Sequence, residues 1–323
     1  MGSPPFSKER WESVKRTLAL CLLLCLSLCG CKDQRARPSV PAPAASGEPA
    51  PVLAFFGDSG EPWSQAALEG TRAWCGREGW ELVEYDCLGA ASTLELQVDD
   101  LERGGGAATA VVCAVAGRES LEETALALSR QGAKVLTLSG TPLGLLEVPV
   151  GSLCHLEPDP TQAAGAAAAL FRETLEPGTG VILLYDVGTL PLETAALPAL
   201  AGAGVPVAEE SYTWGSVEYT QTFVQDILAR RSDVGGVACF SRTGALGARS
   251  ALEEAGLADR VAILCLDGSE ELQKDLERGT VAATMELSED ALAKELDDAL
   301  TGVTRGERLG KRLLTVELRR PRD

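Results

Sequence analysis

Residues 261–309 read VAILCLDGSEELQKDLERGTVAATMELSEDALAKELDDALTGVTRGERL. The stretch opens on a continuous apolar run with no polar alternation. A strand of that composition is covered on both faces, as in a parallel sheet. Asp267 and Gly268 end it, and the acidic SEELQKDLER follows as a helix that Gly279 stops. TVAATMEL is the next strand, SEDALAKELDDALTG the next helix, and Gly306 and Glu307 the next turn. Strand, helix, strand, helix without a hairpin signal requires crossover connections, and so a parallel sheet layered with helices.

The same alternation extends toward the N-terminus. PVLAFFGD, WELVEY, TAVVCAVA and AKVLTLSG are strands. Between them stand a helix from Pro62 to a stop at Gly79, one with Leu94, Val98 and Leu101 on a single face, and one with Leu121, Ala125 and Leu128 aligned. A second series begins at DPTQAAGAAAALFRETL, a helix. GVILLYD, VPVAEESY and GGVACFS are its strands, and RLLTVEL is the last strand of the chain. A helix interrupted by Pro198 lies after GVILLYD, and TGALGARSALEEAG is the helix before the opening stretch. The expected fold class is α/β, with two doubly wound, Rossmann-like parallel-sheet lobes. In such sheets ligands bind beyond the carboxyl ends of the strands, and the gap between two lobes is the natural pocket.

The N-terminal end is different. Residues 8–16 are net positive, and an uncharged apolar stretch runs from Leu18 to Leu28. That is shorter than the roughly 20 apolar residues that span a bilayer, and it has the order of an export signal. LCGC, residues 28–31, resembles the lipobox of bacterial lipoproteins, which implies that Cys31 is acylated and becomes the new N-terminus. Cys21, Cys25 and Cys29 are then filler in a leader, residues 1–30, that is cut away. Burial of each acyl CH₂ contributes about 0.8 kcal/mol, so several chains anchor durably. Residues 31–51 are rich in Pro and Ala and have almost no large apolar side chain. They read as a tether that holds the folded part off the outer side of a membrane.

Composition narrows the function. The chain of 323 residues has a formal net charge of −18, and an acidic surface repels nucleic acid and anionic lipid. The sole histidine, His155, argues against a histidine metal site or a catalytic triad. The remaining cysteines, Cys75, Cys87, Cys113, Cys154, Cys239 and Cys265, have no CxxC spacing. The compartment permits disulfides, and sequence leaves their pairing open, but Cys113, Cys239 and Cys265 lie in apolar runs and read as core. No nucleophile elbow, P-loop or HExxH motif is present, so the chain reads as a non-enzyme without cofactor or metal.

Residues 261–309 also resemble the C-terminal third of ribose- and galactose-type periplasmic binding proteins of type 1, the fold shared with the effector domain of lactose-repressor-like regulators. The strand ending in Asp267-Gly268, the segment Gly279–Thr284 and the Gly306-Glu307 turn carry that resemblance. GDSGEPWSQAALEGTRAWCGREGWELVEYD fits the family's opening. The resemblance implies lobes joined by a crossing-strand hinge. The first covers 52–155 plus 286–310, and the second covers 156–285 plus 311–323.

By that resemblance the ligand-binding positions are Glu61, Trp63, Ser64, Ser139, Glu193, Trp214, Ser241, Arg242 and Asp267. Trp63 and Trp214 fall on aromatic positions, and Asp267 on the acid that grips hydroxyls. Other positions depart from the family. Its Asp-Arg pair is Ser139-Gly140, an arginine is replaced around Glu193, its Asn-Asp is Ser241-Arg242, and a glutamine is about Leu287. Each lost charge-assisted hydrogen bond removes about 1.5–3 kcal/mol, which disfavours an ordinary pentose or hexose. Each residue also has a structural alternative. Trp63 can staple its helix, Trp214 can pack in the hinge, Asp267 can accept at the start of the helix at Ser269, and Glu193 and Arg242 can be solvated. The function implied is a monomeric, membrane-anchored binding protein that presents a sugar-like or amine-bearing solute to the permease of an ABC importer. The alternative is a sensor or partner-binding lipoprotein of the same fold with a degenerate sugar site.

Replacing Cys31 with serine is expected to move the protein from the membrane to the soluble fraction and to abolish labelling by palmitate. Sedimentation with membranes and undiminished labelling of the serine variant would refute the lipobox.

Overall fold

The computed structural model describes residues 49–321, apart from 115–116, 146 and 187–189. Cys31 and its leader lie outside the described residues. The first sheet holds β1 (Val52–Gly57), β2 (Glu81–Asp86), β3 (Thr109–Cys113), β4 (Lys134–Leu138), β5 (Ser152–Pro158) and β11 (Gly310–Leu314), in the order β11-β5-β4-β3-β1-β2. All its pairings are parallel. The second sheet holds β6 (Gly180–Tyr185), β7 (Val207–Tyr212), β8 (Val234–Cys239), β9 (Ala262–Cys265), β10 (Ala283–Leu287) and β12 (Val316–Arg319), in the order β12-β10-β9-β8-β6-β7. Only β12 runs antiparallel, against β10.

Continuous apolar runs became the central strands, as a sheet covered on both faces requires: β3, β6 and β8 are buried at every position. Around the first sheet lie α1 (Pro62–Glu78), α2 (Ala91–Arg103) and α3 (Gly117–Arg130), and around the second α4 (Pro160–Thr174), α5 (Leu190–Ala203), α6 (Val217–Arg230), α7 (Arg242–Ala255) and α8 (Glu270–Arg278). α9 (Glu289–Thr304) follows β10 of the second sheet but packs its Leu292, Leu296 and Leu300 into the core of the first. The helix around Pro198 is not interrupted. Pro198 lies on the exposed side of α5, where water can satisfy the carbonyl left without its N–H partner. The six cysteines of the described residues are free and buried, and burial pushes the Cys75 and Cys154 thiols up to about 11.

The chain passes between the sheets at 158–160, at 287–289 and at Thr315. These segments hydrogen-bond to one another. Asp159 N donates to Leu314 O at 2.9 Å and Ser288 N to Thr315 O at 3.0 Å. Val316 N donates to Gln162 Oε1 at 2.9 Å. The single last strand expected at RLLTVEL is therefore divided. Gly310–Leu314 completes the first sheet and Val316–Arg319 the second, so residues 311–314, like 156–158 of β5, belong with the first lobe, and residues 286–287 of β10 with the second.

β5 did not stand out in the sequence because His155 and Glu157 interrupt its apolar run. Both side chains are fully buried. His155 Nδ1 is 3.0 Å from Thr137 Oγ1. Glu157 accepts from Leu143 N at 3.1 Å and from Lys311 Nζ of β11 at 2.8 Å. His155 Nε2 stands 3.4 Å from the same carboxylate without hydrogen-bond alignment. Burial pushes the Glu157 carboxyl up, but His155, Lys311 and the Leu143 N–H together hold it below 4.5.

A carboxyl depressed in the folded state stabilises the fold above its unfolded pKa and stops doing so as pH falls through the folded value. Glu157→Gln is therefore expected to cost about 2 kcal/mol at neutral pH, the scale of a charge-assisted bond. The gap to wild type should narrow on acidification to about pH 3. Urea unfolding at the two pH values measures both, and an equal cost at each would contradict the ionised pairing.

Candidate functional site

The loops after the strands of both sheets meet around a cavity of about 450 Å³. From the first sheet come Glu61, Pro62 and Trp63 after β1, Ala114 after β3, and Gly140 and Thr141 after β4. From the second come Asp186 after β6, Ser241, Arg242 and Thr243 after β8, and Asp267 and Gly268 after β9. Met285, Glu286 and Leu287 at the end of β10, with Glu289 and Leu292 of α9, close it on the crossing side. The cavity thus lies at the carboxyl ends of parallel strands, beside the points where strand order reverses between β1 and β3 and between β6 and β8.

Glu61 occupies the N-cap position of α1 in extended conformation, yet its side chain makes no capping bond. Its carboxylate instead accepts from Arg242 Nη2, at 3.0 Å and 3.2 Å to the two oxygens. Arg242 is the first residue of α7, whose N-cap Ser241 accepts from Gly244 N at 3.2 Å. Arg242 Nε lies 3.3 Å from Asp267 Oδ2. Asp267 has a second role, since its Oδ1 accepts from Ser269 N at 2.8 Å and shapes the entry to α8. Burial raises the Glu61 carboxyl above 4.5, Arg242 lowers it, and Asp267 raises it again, with a net shift upward. Glu286 takes 3.0 Å from Thr284 Oγ1 and 3.1 Å from Arg319 Nε, and Gln273 Nε2 also donates to it.

Trp63 lies against Gly140. A Cβ on Gly140 would come within 2.4 Å of Trp63 Nε1, so the indole fills the space that any larger residue there would take. Gly268 is tight in the same way, with its would-be Cβ 2.7 Å from Glu286 Cγ.

Glu61, Trp63, Ser241, Arg242 and Asp267 are brought together. The other expected positions do not line the cavity. Ser64 is buried and accepts from Asp58 N at 2.9 Å, and Ser139 is buried and donates to Thr141 O at 2.7 Å. Both hold the loops that carry lining residues. Glu193, on α5, accepts from Tyr212 Oη. Trp214 is 64% exposed with φ of +54°, in the turn between the edge strand β7 and α6, where its ring tilts against Tyr212 at 5.7 Å. It faces outward because the edge strand places that turn away from the crossing segments. Asp186, Glu286 and Glu289 were missed. The signal for the first two was their place at the end of LLYD and TMEL, the carboxyl ends of parallel strands. Among the described residues no group of His, Cys, Asp and Glu is arranged to hold a metal ion, and no helix is long and apolar enough to cross a membrane.

The sequence pattern of a family described as periplasmic binding protein domain matches residues 54–294. No curated protein is similar to the chain in sequence. Among solved structures, the periplasmic ribose ABC transporter from Conexibacter woesei superposes with a TM-score of 0.67 at 18% identity, over 83% of this chain and 91% of that one. The Caulobacter myo-inositol binding protein bound to myo-inositol gives 0.61 at 21%, over 83% and 92%. A chain of the XylFII–LytSN complex gives 0.62 at 13%, over 84% and 98%.

Gly140→Ala is expected to cost about 1–3 kcal/mol, the usual scale of overpacking, because the new methyl must move the Trp63 indole. In a Trp63→Ala background that cost should largely disappear. Thermal unfolding of the four proteins tests the contact, and additive effects would mean that the indole does not rest on Gly140.

Proposed function

Because the chain belongs to the type 1 periplasmic binding protein family, we propose that it is a lipid-anchored solute-binding protein that captures a small polar molecule between its lobes. The observation that carries this reading is the cavity itself. It is lined from both sheets, and segments that cross side by side border it. Closure about those segments changes the distance between Glu61 and Trp63 on one side and Asp186 and Asp267 on the other. The solute is sugar-like or amine-bearing, and it is released to an ABC importer on the extracytoplasmic face of the membrane. Cys31 supplies the anchor and residues 31–51 the reach. No covalent step is needed, and none of the lining side chains is arranged as a nucleophile with its base.

By the family resemblance, Ser139-Gly140 and Ser241-Arg242 stand at positions where sugar-gripping side chains are expected. That replacement favours a second reading, a lipoprotein whose closed form is recognised by a sensor or another protein. The XylFII–LytSN complex is one in which a protein of this fold is joined to a partner.

Thermal shift of the purified protein against sugars, polyols, amines and amino acids separates the readings. A ligand at 100 times its Kd stabilises by about 2.7 kcal/mol, a rise in Tm well above scatter. A shift with one chemical class supports capture, and no shift with any of them supports the partner-binding reading.

A further inference from the structure

Arg242 sits where a captured molecule would sit. Its guanidinium starts from α7 in the second lobe and reaches Glu61 in the first, with Nη2 at 3.0 Å and 3.2 Å from the carboxylate oxygens. Its Nε is 3.3 Å from Asp267, back in the second lobe. One cation thus touches both sides of the cavity at once. A solute that closes a two-lobed binding protein has to do the same.

The rest of the lining suits that charge. Asp186, Glu286 and Glu289 add carboxylates, and Arg319 offsets Glu286 from behind the sheet edge. The positive N-terminal ends of the helices that open into the cavity offset part of that charge. The Glu61 carboxyl stays raised, chiefly by burial, although Arg242 is bound to it. The pair with Asp267 is misaligned, for Arg242 Nε is buried and makes no hydrogen bond. The internal cation therefore satisfies the site incompletely, because its tether to α7 fixes where the guanidinium can go. A free ligand has no such tether. The indole of Trp63 forms an adjacent wall, and an aromatic face attracts a cation within about 6 Å of the ring.

We propose that Arg242 is a built-in occupant of the cleft, and that the captured solute is a small organic cation with an ammonium or guanidinium group that displaces it from Glu61 and Asp267. This rests on the capture reading above and narrows it. An anion would have to draw Arg242 from two carboxylates, with Glu289 also in the lining. A neutral polyol would leave Arg242 in place and meet mostly acceptors, with Arg242, already held by Glu61, as the one guanidinium among the lining residues.

Isothermal titration of the full-length protein in detergent with agmatine, putrescine, myo-inositol and ribose tests this. Agmatine is expected to bind, and the two polyols are not. Arg242→Ala should tighten agmatine by about tenfold, since the internal competitor is gone. Glu61→Gln and Asp267→Asn should each weaken it by about tenfold or more. Opposite signs within one cavity separate charge from misfolding. Agmatine binding that Arg242→Ala weakens would overturn displacement. Binding of a polyol without agmatine would overturn the cation and leave capture standing. Failure of every probe, on wild type and on Arg242→Ala, would overturn both.

Discussion

Backbone hydrogen bonds between the crossing segments make one protein of two sheets. Asp159 N to Leu314 O and Ser288 N to Thr315 O hold the passages side by side. Because the strands of each sheet are parallel, except β12, all their carboxyl ends point to the same side. The crossings then bring those ends face to face. The cavity is a consequence of topology before any side chain is chosen. What the side chains decide is what the cavity accepts.

The crossing region also concentrates buried charge. Glu157 lies in a central strand with no exposed surface, an arrangement that costs several kcal/mol unless the carboxylate is paired and hydrogen-bonded. Lys311 from β11 and the N–H of Leu143 supply partners, and they fix β11 and the loop after β4 relative to β5. The polar residues in β5 thus specify which strand becomes its neighbour, a choice that apolar side chains leave open. The same pairing sets the register from which the chain continues through Thr315 into the second sheet.

The alternation of apolar strands and Gly-stopped helices made the fold legible, since each long apolar run has only one way to be covered on both faces. β5 was not legible, because its buried His155 and Glu157 look like surface in a linear reading. The division of RLLTVEL was hidden for a related reason. One extended run serves two sheets, and only three-dimensional pairing shows the break at Thr315. In the site, Glu61, Trp63, Ser241, Arg242 and Asp267 were expected from the family resemblance, and they line the cavity because they stand at helix starts and strand ends. Trp214 has the right residue type but lies beyond an edge strand, where a turn with positive φ aims it at water. Glu286 and Asp186 were not legible because only their place at the carboxyl ends of β10 and β6, and not their residue type, brings them to the cavity. Asp186 directly follows the buried β6 and Glu286 lies near the end of β10, which places both at the cleft.

Arg242 joins these two levels. Placing a cation at the N-terminus of α7 is unfavourable by itself, by about 0.3–1 kcal/mol, because it meets the positive end of the helix dipole. A bond to Asp267 alone would offset that and keep the guanidinium in its own lobe. The contact with Glu61 adds a second carboxylate from the opposite lobe, so the guanidinium ties the two lobes together. The bridge is partly open to water, with Arg242 35% and Glu61 27% exposed, which keeps it in the range of weak to moderate ion pairs. A contribution of about 1.4 kcal/mol shifts an equilibrium tenfold, so a bridge of that size is one that a solute of the proposed kind can overcome. A stronger bridge would hold Arg242 against displacement. A weaker one would leave the Glu61 and Asp267 carboxylates without their shared cation.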